Sequence, residues 1–290
     1  MPAYQIFTDA TADLSPEMLS RMGSVKIIPM EVEIGGKTYS YAPDGDISPH
    51  EFYELQKAGN FASTSQINSD IYFKNFEPCL REGKDILYLC FTSGMSGTYQ
   101  TVRLCADHLR ERFPERKIVC IDTLCASVGE GLFVYEAARR QAEGLSLEEL
   151  ADWAAGHRMQ VCHWFTVDTF EHLRHGGRVS GAAAAIGTVL NIKPLLHVDE
   201  QGQLAVAEKP RGRKRAISAQ ISRMKQGWTP EIAKTVIIGH GDCPEGAQQL
   251  KSAVAGQFPD AEIMIADIGP IIGAHTGPGM LAVVYFGSNR

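Results

Sequence analysis

Short apolar runs alternate with segments of helical period through the first half of this chain, and that alternation limits the fold more than any other feature. The run Asp85-Ile-Leu-Tyr-Leu-Cys-Phe91 has no polar residue between Ile86 and Phe91. A strand with one wet face alternates; a strand covered on both faces does not. Strands are expected at 4–8, 25–34, 85–91 and 117–122, the second ending at Gly35-Gly36. Helices are expected at 16–22, 49–57, 70–80, 96–112 and 127–143. Apolar strands separated by amphipathic helices build a parallel sheet with helices on both faces, and such sheets bind ligands at the carboxyl ends of their strands.

The pattern changes after Gly144. Ser146 and Glu149 have capping-box spacing at the head of a helix over 146–155. Beyond it come a strand at 161–167, a short helix, a Gly/Ala segment, and two strands around the turn Asp199-Glu200-Gln201-Gly202. A helix from about Arg211, a strand at 235–239, a helix near 245–257, and strands at 262–266 and 280–286 complete the order. The turn favours hairpin pairing, so a mixed sheet is expected here. The reading is an α/β chain of two domains, 1–155 and 156–290.

At 290 residues and 44% hydrophobic content there is material for substantial cores. A net charge of -6 sets an acidic background against nucleic-acid binding. The basic stretch Lys209–Arg215 lacks the interleaved aromatics that stack bases, and reads first as a solvated loop and helix start. The N-terminus lacks signal-peptide features and no apolar run reaches membrane-spanning length, from which a cytoplasmic location is expected. Seven scattered cysteines suit reduced core thiols. No C-x2-C or H-x3-H pair occurs, and no dinucleotide fingerprint or Walker loop, so neither metal nor nucleotide cofactor is expected.

Three segments gather hydroxyl, glycine and imidazole groups where strand ends should lie: Ser63-Thr64-Ser65-Gln66, Thr92-Ser93-Gly94-Met95-Ser96-Gly97-Thr98, and Gly273-Ala274-His275-Thr276-Gly277-Pro278-Gly279. All three suit an anion. In the second, glycines allow close backbone approach and the following helix offers free N–H groups. Each serine alone could be no more than a helix cap, but four hydroxyls in seven residues exceed what a cap needs. His275 sits between two Gly/Pro turns, where an imidazole can meet a carboxylate. Asp9 and Asp13 could hold a cation, although Asx-turn and capping roles are commoner. The pair Gly176-Gly177 could aim the guanidinium of Arg178, or simply end a helix.

Taken together, Thr8-Asp9-Ala10-Thr11-Ala12-Asp13, Thr64-Ser65-Gln66, Ser93 to Tyr99, Asp122-Thr123, Gly176 to Ser180 and His275 to Gly279 give the chain a resemblance to the DegV family. That family includes the lipid-binding subunits of bacterial fatty acid kinase, which feed phospholipid synthesis. The resemblance implies a long-chain fatty acid such as palmitate, stearate or oleate, with its tail in an apolar tunnel between the domains. It implies a carboxylate held by Thr64, Ser93 or Ser96, and His275, with Asp9, Gly97, Arg178 and Thr276 as secondary candidates. A separate kinase subunit would supply ATP and catalysis, so this chain would be a binder and not an enzyme, with room for transient membrane contact. Two departures stand out: Ala10 replaces the usual Ser, and Ile67 the usual Pro.

Burying roughly 14 methylenes at ~0.8 kcal/mol each gives an upper bound near ~11 kcal/mol before ordering costs, so the tail would dominate affinity. The rival reading is a serine hydrolase using Ser96 and His275, since their order imitates an α/β-hydrolase. Gly94-Met95-Ser96-Gly97-Thr98 misses the second glycine of G-x-S-x-G by one place, and a fluorophosphonate probe would separate the two readings.

Overall fold

A computed structural model describes residues 4–179, 191–288 and 290. The Gly/Ala segment and Ser180 fall outside the described residues. The chain is an α/β protein built on three sheets.

The first sheet runs β2-β1-β6-β7 and is wholly parallel: β1 Tyr4–Asp9, β2 Val25–Ile28, β6 Asp85–Cys90 and β7 Ile118–Asp122. All of β1 is buried and so is β6 after its first residue, as unbroken apolar strands between helical layers require. The chain leaves β1 toward β2 on one side, and β6 joins on the other. The carboxyl ends of β1 and β6 therefore flank a switch point, where crevices form in open α/β sheets.

The expected strand over 25–34 is two strands. Pro29, with no N–H to give a ladder, ends β2, and β3 (Met30–Ile34) belongs to another sheet. That sheet, ordered β4-β3-β5, is antiparallel and contains two strands the sequence reading missed, β4 (Lys37–Tyr41) and β5 (Ala62–Thr64). Gly35 and Gly36 have φ of 60° and 75°, as a tight hairpin between β3 and β4 demands.

The third sheet is mixed, in the order β10-β9-β8-β13-β11-β12. Its strands are β8 Val161–Thr166, β9 Leu195–Val198, β10 Leu204–Glu208, β11 Thr235–His240, β12 Glu262–Asp267 and β13 Leu281–Phe286. Only β11 and β12 pair in parallel, and β9 and β10 form the hairpin expected at Asp199–Gly202.

The helices are α1 Pro16–Arg21, α2 Pro49–Lys57, α3 Ser69–Arg81, α4 Thr98–Arg112, α5 Val128–Ala142, α6 Leu147–His157, α7 Glu171–His175, α8 Arg213–Gly227, α9 Pro244–Gln257 and α10 Pro270–Thr276. Ser48 and Ser146 close capping boxes with Glu51 and Glu149. Helix α5 is buried on every side from Val128 to Ala138 and packs on both the parallel and the mixed sheet. A helix buried all round is the one between layers, here with Glu130 and Glu136 enclosed along with its apolar residues, and α5 is the shared centre of the largest core cluster. All seven cysteines are free thiols.

Candidate functional site

Where the loops after β1 and β6 meet α10 and the mixed sheet, a cavity of about 300 Å³ opens. Its walls are mostly apolar, with Phe91 from the loop after β6 and Phe165, Leu173, Val198, Ile271 and Val284 from five elements of the fold. Met30, Met95 and Met280 add unbranched, adaptable side chains to the lining.

Two of its polar lining residues, Thr64 and His275, meet. Thr64 closes β5, which hydrogen-bonds to β3, so its register is fixed opposite Val32. His275 lies in the last turn of α10, a short helix where only a Gly-lined turn is expected from sequence. Thr64 Oγ1 and His275 Nε2 are 3.0 Å apart. The other ring nitrogen, Nδ1, is enclosed and has no hydrogen-bond partner. An orphaned buried N–H is rarer and costlier than an unpaired acceptor, so the imidazole proton belongs on Nε2, donating to Thr64. The threonine hydroxyl is then free to donate into the cavity.

Burial, followed by repulsion from Arg178 and His175, lowers the His275 pKa to about 4. The ring is neutral at neutral pH. Gly176 explains how it fits: a Cβ there would stand 2.1 Å from His275 Nδ1. The glycine pair therefore does more than end α7. Gly176 accommodates the imidazole, Gly177 takes the left-handed turn at φ 67°, and Arg178 folds back to donate from Nη1 to Gly176 O at 2.6 Å while lining the cavity.

The serine-rich loop is held from two sides. Thr92 Oγ1 donates to Gly202 O at 3.0 Å, and a Cβ on Gly94 would meet Gln201 O and Gly202 O at 2.5 and 2.6 Å. The β9–β10 turn thus seats on a loop position that only glycine fits. Ser96 lines the cavity; its Oγ accepts from Thr98 N–H at 3.3 Å and lies 2.9 Å from Thr98 Oγ1. Helix α4 starts at Thr98, two residues later than expected, because Ser96 makes this local turn before it. Gly97 also lines the cavity.

The predicted residues do not all converge. Thr64, Ser96, Gly97, Arg178, His275 and Thr276 line the cavity; Ser93 and Asp9 are not in its lining. Ser93 turns its backbone N–H to Asp122 Oδ1 at 3.1 Å. Asp9 is fully buried, accepting from Thr11 N–H at 3.0 Å and Tyr88 OH at 2.6 Å. Thr276 Oγ1 is spent on Ile272 O at 3.2 Å.

Thr11 and Gln66, quoted in the sequence motifs but not named as ligands, also line the cavity, and sequence reasoning missed Ser127 and His163. His163 is saturated, its Nε2 accepting from Ala126 N–H at 3.3 Å and its Nδ1–H donating to Val161 O at 3.1 Å. Burial holds it well below the usual imidazole range. Gly129 makes room for it, since a Cβ would lie 1.9 Å from Nε2. Of the two missed residues, Ser127 carried a signal, as a serine heading a helix.

Residues 3–288 match a family model described as an uncharacterised protein of the DegV family. The chain belongs to the DegV family. A DegV domain-containing protein of Clostridium perfringens is 36% identical over 290 residues, covering 100% of this chain and 99% of the relative. Among solved structures, a DegV family protein of Thermus thermophilus described by its fatty acid binding superposes with a TM-score of 0.85 at 28% identity, covering 99% and 100% of the two chains. The Streptococcus pneumoniae fatty acid kinase B3 protein loaded with linoleic acid gives a TM-score of 0.86 at 22% identity over 99% of each chain, a likeness of fold.

Proposed function

We propose that this DegV protein binds a long-chain fatty acid, with its carboxylate held by Thr64 and Ser96, Thr64 being oriented by His275, and its tail along the apolar walls of the cavity. The observation that carries the reading is a free threonine hydroxyl, backed by a neutral histidine, in the lining of a mostly apolar cavity. A carboxylate leaving water needs several donors, and neutral hydroxyls supply them without a buried counter-charge. Ser93 drops behind Ser96 because it is absent from the lining. The cavity lies between two domains, 1–155 and 156–290, each built on its own sheets. Arg178 lines the cavity and is exposed, which suits service to a partner or the incoming carboxylate.

In this reading the protein presents the acyl chain to a fatty acid kinase and does no chemistry itself. The hydrolase alternative asks for a hydrogen bond from Ser96 to His275 and an acid on the far ring nitrogen. Instead Ser96 bonds Thr98, His275 bonds Thr64, and His275 Nδ1 faces Gly176. Calorimetric titration of delipidated protein with palmitate tests the site. Thr64→Val and Ser96→Ala should each weaken binding about ten- to a hundredfold, as lost hydrogen bonds to a charged group do, and His275→Ala about five- to thirtyfold through the lost orientation of Thr64. Unchanged affinity in all three contradicts it.

A further inference from the structure

Three carboxyl groups lie behind the cavity wall with no cation beside them among the described residues. Asp9, Asp13 and Glu130 are 0%, 5% and 0% exposed. The charges that bear on Asp13 are those of Asp267 and Asp9, and those on Glu130 are Asp9 and Asp13. The hydrogen-bond pattern asks for protons. Thr8 Oγ1 touches Leu89 O at 3.0 Å and Glu130 Oε1 at 3.1 Å, while Thr11 Oγ1 touches Glu130 Oε2 at 2.8 Å and also Asp9 Oδ1. Each threonine has one hydroxyl hydrogen, so its second contact is a hydrogen bond only if a carboxyl supplies the proton. Burial raises the pKa of Asp9 and of Glu130 in the same sense.

Asp13 is the member of this group that reaches solvent. It lines a separate cleft of about 420 Å³ with Asp46, Glu51 and Asp267, which has no lysine or arginine among its lining residues. The other groups facing it are the phenols of Tyr41 on β4 and Tyr53 on α2. Its Oδ1 accepts the Gly269 N–H at 2.8 Å, which leaves Oδ2 as the protonation site, 2.6 Å from Ser127 Oγ. Ser127 lines the acyl cavity.

The two charge states of Asp13 therefore present the cavity with different walls. Protonated, Asp13 donates to Ser127 Oγ and frees the serine hydrogen to point inward. Ionised, it draws that hydrogen back and sets a negative charge one side chain behind the wall. We propose that Asp13, acting through Ser127, regulates the affinity of the cavity for an anionic ligand, tight with Asp13 protonated and weaker with it ionised. This rests on the fatty-acid reading above and adds its control by protons. Burial, with Asp267 and Asp9 nearby, pushes Asp13 up to about 8, within reach of ordinary pH changes. Because Asp13 faces its own cleft, protons can exchange without opening the acyl cavity.

The test compares palmitate affinity of the wild-type protein and Asp13→Asn at about pH 6.5 and about pH 9.5, on either side of the proposed titration. The amide copies the neutral acid, donating to Ser127 and accepting from Gly269. At the lower pH the two proteins should agree. At the higher pH wild type should bind roughly three- to tenfold more weakly than the variant, the scale of one unit charge acting across a protein wall. The ligand titrates alike for both, so the difference isolates Asp13. Calorimetry in buffers of different ionisation heat, near pH 8, should show proton uptake on binding by wild type. This second readout needs no variant to fold. Identical pH profiles in the two proteins, or no proton uptake, overturn the Asp13 proposal alone. No palmitate binding by wild type at either pH sinks the fatty-acid reading and this proposal with it.

Discussion

Gly176→Ala should cost this protein its ligand affinity while leaving its fold alone. Gly176 has φ −75° and ψ −7°, right-handed values that alanine adopts freely, so no backbone strain is introduced. The whole effect is the methyl group, whose carbon would stand 2.1 Å from His275 Nδ1. Carbon and nitrogen pack at about 3.5 Å, so the imidazole must retreat by more than ~1 Å. The 3.0 Å contact from its Nε2 to Thr64 then stretches beyond hydrogen-bond range. Losing that bond, and with it the orientation of the threonine hydroxyl, should cost ~1–2 kcal/mol of binding, roughly five- to thirtyfold in Kd. Titration of delipidated protein with palmitate reads the affinity, and thermal unfolding reads stability. The neighbouring Gly177→Ala is the contrast: nothing lies within 4 Å of its added Cβ, but φ is 67°, so stability should drop by ~1 kcal/mol with affinity little changed. Full affinity in Gly176→Ala would refute the role given to His275 and Thr64.

Gly94→Ala sets a methyl against two backbone carbonyls of the β9–β10 turn, which cannot swing away as a side chain would. Unfolding should shift down by ~1–3 kcal/mol, seen as a Tm lowered by several degrees. Acid should destabilise the empty protein through its buried imidazoles. His163 and His275 are both depressed, so at these two sites the unfolded chain binds protons that the folded one does not below about pH 6.5, and their contribution to stability falls as pH drops from there toward about 4, while the raised Asp9, Asp13 and Glu130 act in the opposite sense. His275→Gln should flatten part of that slope in Tm measured against pH; an unchanged slope would place the acid sensitivity elsewhere. Arg178→Ala should reduce phosphorylation of the bound acyl chain by a partner kinase more than it reduces palmitate binding, whereas equal losses would assign Arg178 to the carboxylate.

Much of the architecture was written in local pattern. The unbroken run at Asp85–Cys90 announced a strand covered on both faces, and the hairpin at Asp199–Gly202 followed from its turn residues. The misses have physical causes. Pro29 splits one apolar stretch between two sheets, a choice made by tertiary packing that period alone cannot reveal. β5 is three residues long, too short to show a period, and α10 is seven residues carrying Gly273, which disguises a helix announced only by Pro270. At the site, hydroxyl and imidazole clustering pointed to Thr64, Ser96 and His275, which the fold brings to one cavity. It could not distinguish Ser93 from Ser96, because the deciding contacts, with Asp122 and Thr98, depend on how the loop settles. Nor could it find His163, which sits inside an apolar strand and meets the cavity only because β8 packs beside Gly129.

The most direct test of the central claim is native mass spectrometry of the protein as purified, followed by organic extraction and identification of what leaves it. The account predicts an adduct of roughly 250–290 Da matching a C16–C18 fatty acid, the size whose tail burial supplies most of the affinity. A mass equal to the bare chain, unchanged after incubation with a panel of long-chain fatty acids, would contradict it.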